Sequence, residues 1–222
     1  MIIKSNIDKA LIADMPVIQF DGRIIVIQTA EEAAKAVRYL ETFPLIGIDT
    51  ETRPSFAKGR MNPVALLQVS TEDTCFLFRL SSIGLTSDIA RLMQEEKPVK
   101  VGLSLKDDFC RLHGRGNFVQ HGYIELQDYV ARLGIEAMSL QKICALVFGR
   151  KLSKAQRLTN WEADVLTDAQ KVYAATDAWI CVQIYQRLEE LRTTGQLTVE
   201  PTEETATGLH IELHAKKGAN ER

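Results

Sequence analysis

Residues 45–51, LIGIDTE, join a short apolar run to two carboxylates. The apolar run 45–48 predicts a buried strand that ends at Asp49. Two further runs, VALLQVS at 64–70 and CFLF at 75–78, flank a polar turn and predict a hairpin. This part of the chain is therefore predicted to form a buried strand followed by a hairpin.

The segments around this centre alternate between strands and helices and then become mostly helical. Thr29 and Glu32 fit the capping box of one helix, and Thr167 and Gln170 fit that of another. The remaining predicted elements are strands over 24–28, 99–103 and 122–126, helices over 30–42, 86–94 and 105–113, a helix between Ser139 and Gly149, and a long helix ending near Gly195.

Length and composition indicate one soluble α/β domain. The chain has 222 residues, of which 45% are hydrophobic and 25% charged, as in ordinary globular proteins. We expect an N-terminal extension over 1–23, a folded domain over 24–192 and a loosely ordered C-terminal tail over 193–222. Four scattered cysteines, and no signal-peptide-like or membrane-spanning apolar run, favour a cytoplasmic protein with no membrane partner.

The net charge of −2 provides no overall field to attract a polyanion. A nucleic-acid ligand would therefore have to be bound by local basic patches.

Asp49 and Glu51 are the first candidate site residues. In a strand, residues two apart point to the same side, so both carboxylates could bind one cation. Taken alone, the pair is more typical of an acidic strand end that meets solvent or caps a following turn.

Tyr173 and Asp177 are spaced i, i+4 within the last long helix, so they project from the same face as Ile180 and Ile184. An ionisable group on an inward face needs a partner. A core tyrosine bonded to a nearby aspartate and a metal-binding aspartate both satisfy that need.

Helical geometry predicts different environments for the two adjacent aspartates of the helix over 105–113. Asp107 fits a capping box with Ser104 and an i, i+4 pair with Arg111, both on the solvent side. Asp108 shares its face with the apolar stripe that must contact the sheet, which makes it the functional candidate.

Three segments carry a family resemblance: GIDTETRPSF at 47–56, VGLSLKDDFCRL at 101–112 and NWEADVLTDAQKVYAATDAW at 160–179. They resemble the three motifs of the DEDD exonuclease superfamily in its tyrosine-containing branch. The chain is most similar to the Werner-syndrome-type exonuclease domain, over about residues 24–192. The sister branch has histidine five residues before the last aspartate, where this chain has Val172.

The resemblance implies a ribonuclease H-like three-layer fold, with a central mixed β-sheet flanked by helices. It also implies 3′→5′ hydrolysis of phosphodiester bonds at nucleic-acid 3′ ends, releasing nucleoside 5′-monophosphates, with two divalent metal ions, Mg²⁺ or Mn²⁺. By similarity Asp49 would bridge both metals, Glu51 and Asp177 would complete the first site, and Asp108 would hold the second. Tyr173 would orient the attacking water, because a tyrosine with a pKa of about 10 is a poor base at pH 7.

Residues around the first motif are candidates for substrate binding: Thr50, Arg53, Lys58 and Arg60. A basic segment before Trp161 could also neutralise phosphates, although an ordinary solvated loop fits equally well. Trp161 is expected in the core rather than in the site. The basic residues of that segment are Arg150, Lys151, Lys154 and Arg157.

Two rival functions remain open. A ribonuclease D-like exoribonuclease would share the same catalytic residues. Such relatives usually carry an additional helical domain, for which the roughly 30 residues after the last predicted helix leave no room. DNA is therefore favoured over RNA. A non-catalytic nucleic-acid-binding module is the other rival, opposed by competent residues at all five positions. A helicase or repair partner is not identified by the sequence.

Overall fold

The computed structural model describes residues 1–55 and 62–202. The strands are β1 (Ile2–Lys4), β2 (Arg23–Ile27), β3 (Leu45–Thr52), β4 (Val64–Ser70), β5 (Thr74–Phe78), β6 (Val99–Gly102), β7 (Tyr123–Glu125) and β8 (Thr198–Glu200). The helices are α1 (Lys9–Ala13), α2 (Ala30–Leu40), α3 (Leu80–Ile83), α4 (Ser87–Gln94), α5 (Leu105–Leu112), α6 (Leu126–Arg132), α7 (Leu140–Phe148) and α8 (Asp168–Thr193).

A six-stranded mixed sheet forms the centre, in the order β2-β5-β4-β3-β6-β7. The strand β4 is antiparallel to its neighbours β3 and β5, whereas β2 joins β5 in parallel and β6 and β7 extend β3 in parallel. Helices cover this sheet on both faces. The predicted mixed sheet flanked by helices is therefore confirmed.

The two faces of β3 pack against different helices. Ile46 and Ile48 are buried in a core cluster that includes residues of α2, α4 and α5. Gly47 points the other way, to α8, where a Cβ atom would lie 2.0 Å from the carbonyl oxygen of Ala178. Side chains of a strand alternate between faces, so the odd-numbered residues of β3 face α8 and the even-numbered ones face α5.

All seven residues of β4 are buried. Its neighbours β3 and β5 satisfy the backbone on both edges, and helices cover both of its faces. This is why VALLQVS is almost entirely apolar, with Gln68 as its one large polar residue.

The helix ends follow the predicted signals. Thr29 and Thr167 both form capping boxes, Ser139 caps α7 through its side chain, and Gly149 ends that helix in the left-handed conformation. The strand β3 continues to Thr52, so Asp49 and Glu51 lie within it rather than after its end.

The capping box expected from Ser104 and Asp107 is wrong. Ser104 has a φ of 65° and its side chain makes no cap hydrogen bond. Instead the carboxylate of Glu125 accepts hydrogen bonds from the backbone N–H groups of Ser104, at 2.9 Å, and Leu105, at 2.6 Å. An acceptor from β7 therefore replaces the local one at the start of α5.

The described terminal segments pair with each other. Ile2–Lys4 forms a parallel two-stranded sheet with Thr198–Glu200, so part of the predicted tail is ordered as β8. Among the described residues, every helix is too short or too polar to cross a membrane.

Candidate active site

Three carboxylates converge at the junction of β3 and α8. Asp49 and Glu51 occupy odd-numbered positions of β3, so their side chains face α8, and Asp177 projects from that helix. Oxygen atoms of these three side chains all lie within 4.8 Å of one another. Gly47 makes this convergence possible, because its missing side chain lets α8 approach the strand closely.

Tyr173 lies one helical turn before Asp177 on the same face of α8. Its hydroxyl group forms a hydrogen-bonding interaction with the Asp177 carboxylate. Burial, together with the negative charges of Asp177 and Glu51, raises the pKa of Tyr173 far above its usual value. The phenol therefore stays protonated at neutral pH and acts as a hydrogen-bond donor.

Asp108 approaches the cluster from α5, on the other face of the sheet. It is only 8% exposed, whereas the neighbouring Asp107 is exposed, as the helix geometry predicted. The hydroxyl group of Thr50 donates a hydrogen bond of 2.5 Å to Asp108 Oδ1. Thr50, an even-numbered residue of β3, thus fixes the carboxylate that comes from the α5 side.

One cleft of about 390 Å³ contains all five predicted catalytic residues. Its wall also includes the cationic side chains of Arg111 and Arg157. The lining residues include Asp49, Thr50, Glu51, Asp108, Arg111, Arg157, Tyr173 and Asp177.

Burial and mutual repulsion make the carboxylates difficult to ionise. Desolvation is the largest cause for each of them, and it raises the pKa of Glu51 to about 8, of Asp177 to about 7 and of Asp108 to about 6. The pKa of Asp49 is raised well above its ordinary value by burial and then by the charges of Asp108 and Asp177. The cluster therefore holds protons that a bound cation would displace.

Such a cluster fits a hard divalent cation. Buried carboxylates that lack an opposite charge are unfavourable, and Mg²⁺ and Mn²⁺ prefer carboxylate oxygens. Asp49, Glu51 and Asp177 supply these oxygens within one ligand sphere, and Asp108 adds a fourth carboxylate from α5.

Two arginines line the cleft. Arg157, which belongs to the predicted basic segment, and Arg111 both lower the pKa of Glu51, and Arg111 also lowers that of Asp108. Sequence reasoning assigned Arg111 to a surface pair with Asp107, but the described ion pairs do not include that pair. The i, i+4 spacing permits a pair with Asp107, but the Arg111 side chain lines the cleft instead. Spacing within the helix does not distinguish these two positions.

Of the other substrate-binding candidates, Arg53 is not among the residues that line the cleft. Arg53 forms an ion pair of 3.4 Å with Glu162. Lys58 and Arg60 lie outside the described residues. Trp161 is fully buried in a core cluster, as expected, with its ring centre 6.0 Å from that of Tyr173.

Comparison with known proteins places this geometry in a family. Residues 24–192 match the family described as 3′-5′ exonuclease. The mouse (Mus musculus) bifunctional 3′-5′ exonuclease/ATP-dependent helicase WRN is 30% identical over 206 residues, which cover 87% of this chain and 15% of that protein. DNA polymerase I of Aquifex aeolicus is 29% identical over 178 residues, which cover 79% of this chain and 29% of the polymerase. The chain thus spans less than a third of the length of either relative.

Among solved structures, the exonuclease domain of Nibbler from Aedes aegypti superposes with a TM-score of 0.73. It is 20% identical, and the match covers 82% of this chain and 94% of that one. The expected ribonuclease H-like fold is therefore confirmed.

Proposed function

We propose, because the chain belongs to the 3′-5′ exonuclease family, that its acidic cleft hydrolyses the terminal phosphodiester bond of a DNA 3′ end and releases a nucleoside 5′-monophosphate. The convergence of Asp49, Glu51 and Asp177 within 4.8 Å, beside Tyr173, is the observation that carries this proposal. The exonuclease domain would comprise residues 24–192.

The carboxylates would hold two divalent ions, Mg²⁺ or Mn²⁺. Asp49, Glu51 and Asp177 would bind one, and Asp108, fixed by Thr50, would help to bind the second. Ions of this kind lower the pKa of bound water and neutralise charge on the phosphate.

The residues of the chain then position the reacting groups. Tyr173, held protonated, would orient the attacking water through its hydroxyl group while it remains bonded to Asp177. Arg111 and Arg157 line the same cleft and provide positive charge for the phosphates next to the scissile bond. Arg53, Lys58 and Arg60 would contribute further contacts to the substrate.

The preference for DNA rests on the similarity to DNA polymerase I, whose name states its nucleic acid. All four cysteines are free thiols in the structure, which supports a reducing cytoplasmic location.

Digestion of end-labelled oligonucleotides tests this function. DNA and RNA strands of one sequence, labelled at either end in turn, are incubated with Mn²⁺ or Mg²⁺ and either wild-type or Asp49→Ala protein. We expect a shrinking ladder from 5′-labelled DNA and immediate mononucleotide release from 3′-labelled DNA, and neither with Asp49→Ala. Faster digestion of RNA would favour the ribonuclease D-like alternative. Intact strands of both kinds would favour a non-catalytic binding module.

A further inference from the structure

Gln68, in the middle of β4, has an amide group with no hydrogen-bond partner among the described residues. The residue is 0% exposed, and within residues 1–55 and 62–202 neither its side-chain nitrogen nor its oxygen is bonded. Buried polar groups are almost always satisfied in folded proteins, so an orphaned amide in a central strand requires an explanation.

The register of the sheet places this amide beside the carboxylate cluster. Gln68 lies directly opposite Asp49 in the antiparallel pair of β4 and β3. Directly opposed side chains point to the same face, with Cβ atoms about 4.5–5.5 Å apart, a separation that a glutamine side chain can span. Gln68 therefore faces α8 on the same side as Asp49.

On its face of β4, Gln68 lies between Leu66 and Ser70, and the Ser70 hydroxyl group donates its hydrogen bond to the Thr71 carbonyl oxygen. Leu66, two residues earlier on the same face, packs in a cluster with Ala174 and Ala175 of α8. These side chains are apolar. The nearest ionisable group that the strand register offers is the Asp49 carboxylate itself.

We propose that Gln68 is a positioning residue for Asp49, and that its amide N–H donates a hydrogen bond to the Asp49 carboxylate oxygen that points away from the bound cation. The proposal rests on the metal-binding function above. A carboxylate that binds a metal is commonly held in place by a further hydrogen bond, and loss of that bond weakens metal affinity about 10–100-fold. Asp49 would then have a fixed orientation toward the cation, at the expense of an unbonded amide in the metal-free protein.

The proposal makes opposite predictions for metal-free stability and for metal affinity. Gln68→Met retains a linear side chain of similar length and removes the amide. We expect the melting temperature of the metal-free protein to stay unchanged or to rise, because an unsatisfied buried group is removed. We expect the dissociation constant for Mn²⁺, measured by titration calorimetry, to rise about 10–100-fold.

Leu66→Met, on the same face two residues away, is the matched control and should leave the dissociation constant for Mn²⁺ unchanged. Gln68→Leu also removes the amide and stays apolar, and it replaces Gln68→Met should that variant not fold. It should lose affinity in the same way.

Unchanged Mn²⁺ affinity in the Gln68 variant overturns the proposal, and a lowered melting temperature alongside it would show that the amide only supports the core. Wild-type protein that binds no Mn²⁺ overturns the metal site as well, which separates the two failures.

Discussion

The two adjacent aspartates of α5 provide the sharpest test of the site. Asp108 is 8% exposed and bonded to Thr50, whereas Asp107 is exposed. Burial is the main cause that raises the pKa of Asp108 from 3.8 to about 6. A difference of this size corresponds to about 3 kcal/mol of unfavourable free energy once the carboxyl group is ionised. Other carboxylates share the same cleft, so we expect about 1–3 kcal/mol.

The sign of the effect depends on pH. Near pH 4 and below, Asp108 is largely protonated in the folded state and lowers the free energy of unfolding only slightly. As the pH rises to about 6, the unfolded chain loses this proton first, so the free energy of unfolding of the metal-free protein falls. Above about pH 6 the ionised Asp108 carboxylate lowers the free energy of unfolding by its full amount. Asp108→Asn keeps an acceptor for Thr50 without the charge, so the variant should be more stable than wild type at pH 8 and nearly equal to it at pH 4.

Urea unfolding in EDTA at pH 4 and pH 8 measures these free energies, and digestion of labelled DNA with Mn²⁺ measures activity. We expect Asp108→Asn to be stabilised at pH 8 and to cut at background rate. Asp107→Asn is the matched control, with a change of at most about 0.5 kcal/mol and most of its activity retained. Normal cutting by Asp108→Asn, or its destabilisation at pH 8, would refute the placement of this carboxylate in the site.

Three other perturbations test separate parts of the structure. Millimolar Mn²⁺ should raise the melting temperature of wild type and not of Asp49→Ala, since the cation binds the folded state; equal curves with and without Mn²⁺ would contradict a metal site. Tyr173→Phe should lower turnover by about 10²–10⁴-fold with near-normal Mn²⁺ affinity, and a loss of affinity as large as that in Asp49→Ala would contradict an orienting role. Gly47→Ala should lower the melting temperature and the activity together, because its Cβ would lie 2.0 Å from the Ala178 carbonyl oxygen. Gly116→Ala, which meets only a side chain at 3.1 Å, is the control and should leave activity unchanged.

Local patterns were sufficient to predict most elements of the fold. Thr29, Ser139 and Thr167 cap the predicted helices because a side-chain oxygen and the N–H groups it satisfies are only a few residues apart. The inward position of Asp108 and the outward position of Asp107 also followed from helical periodicity alone.

Features that depend on distant residues were not predictable from such patterns. The start of α5 is satisfied by Glu125 from β7, about 20 residues away, and the left-handed conformation of Ser104 excludes the local cap. Arg111 turns to the cleft because carboxylates from β3 and α8 meet there, which the spacing within α5 does not reveal. The partner of β2 is β5 rather than a strand adjacent in sequence, and this too is set by tertiary packing.

The burial of β4 also has a consequence for synthesis on the ribosome. One face of VALLQVS is covered by α8, whose Asp177 is translated about a hundred residues after Ser70. At about 5–20 residues per second, this face of β4 stays uncovered for several seconds. During that time chaperones can bind it and unfinished chains can associate through it. The acidic cleft also needs α8, so the emerging chain completes this cleft only when its sheet is finally covered.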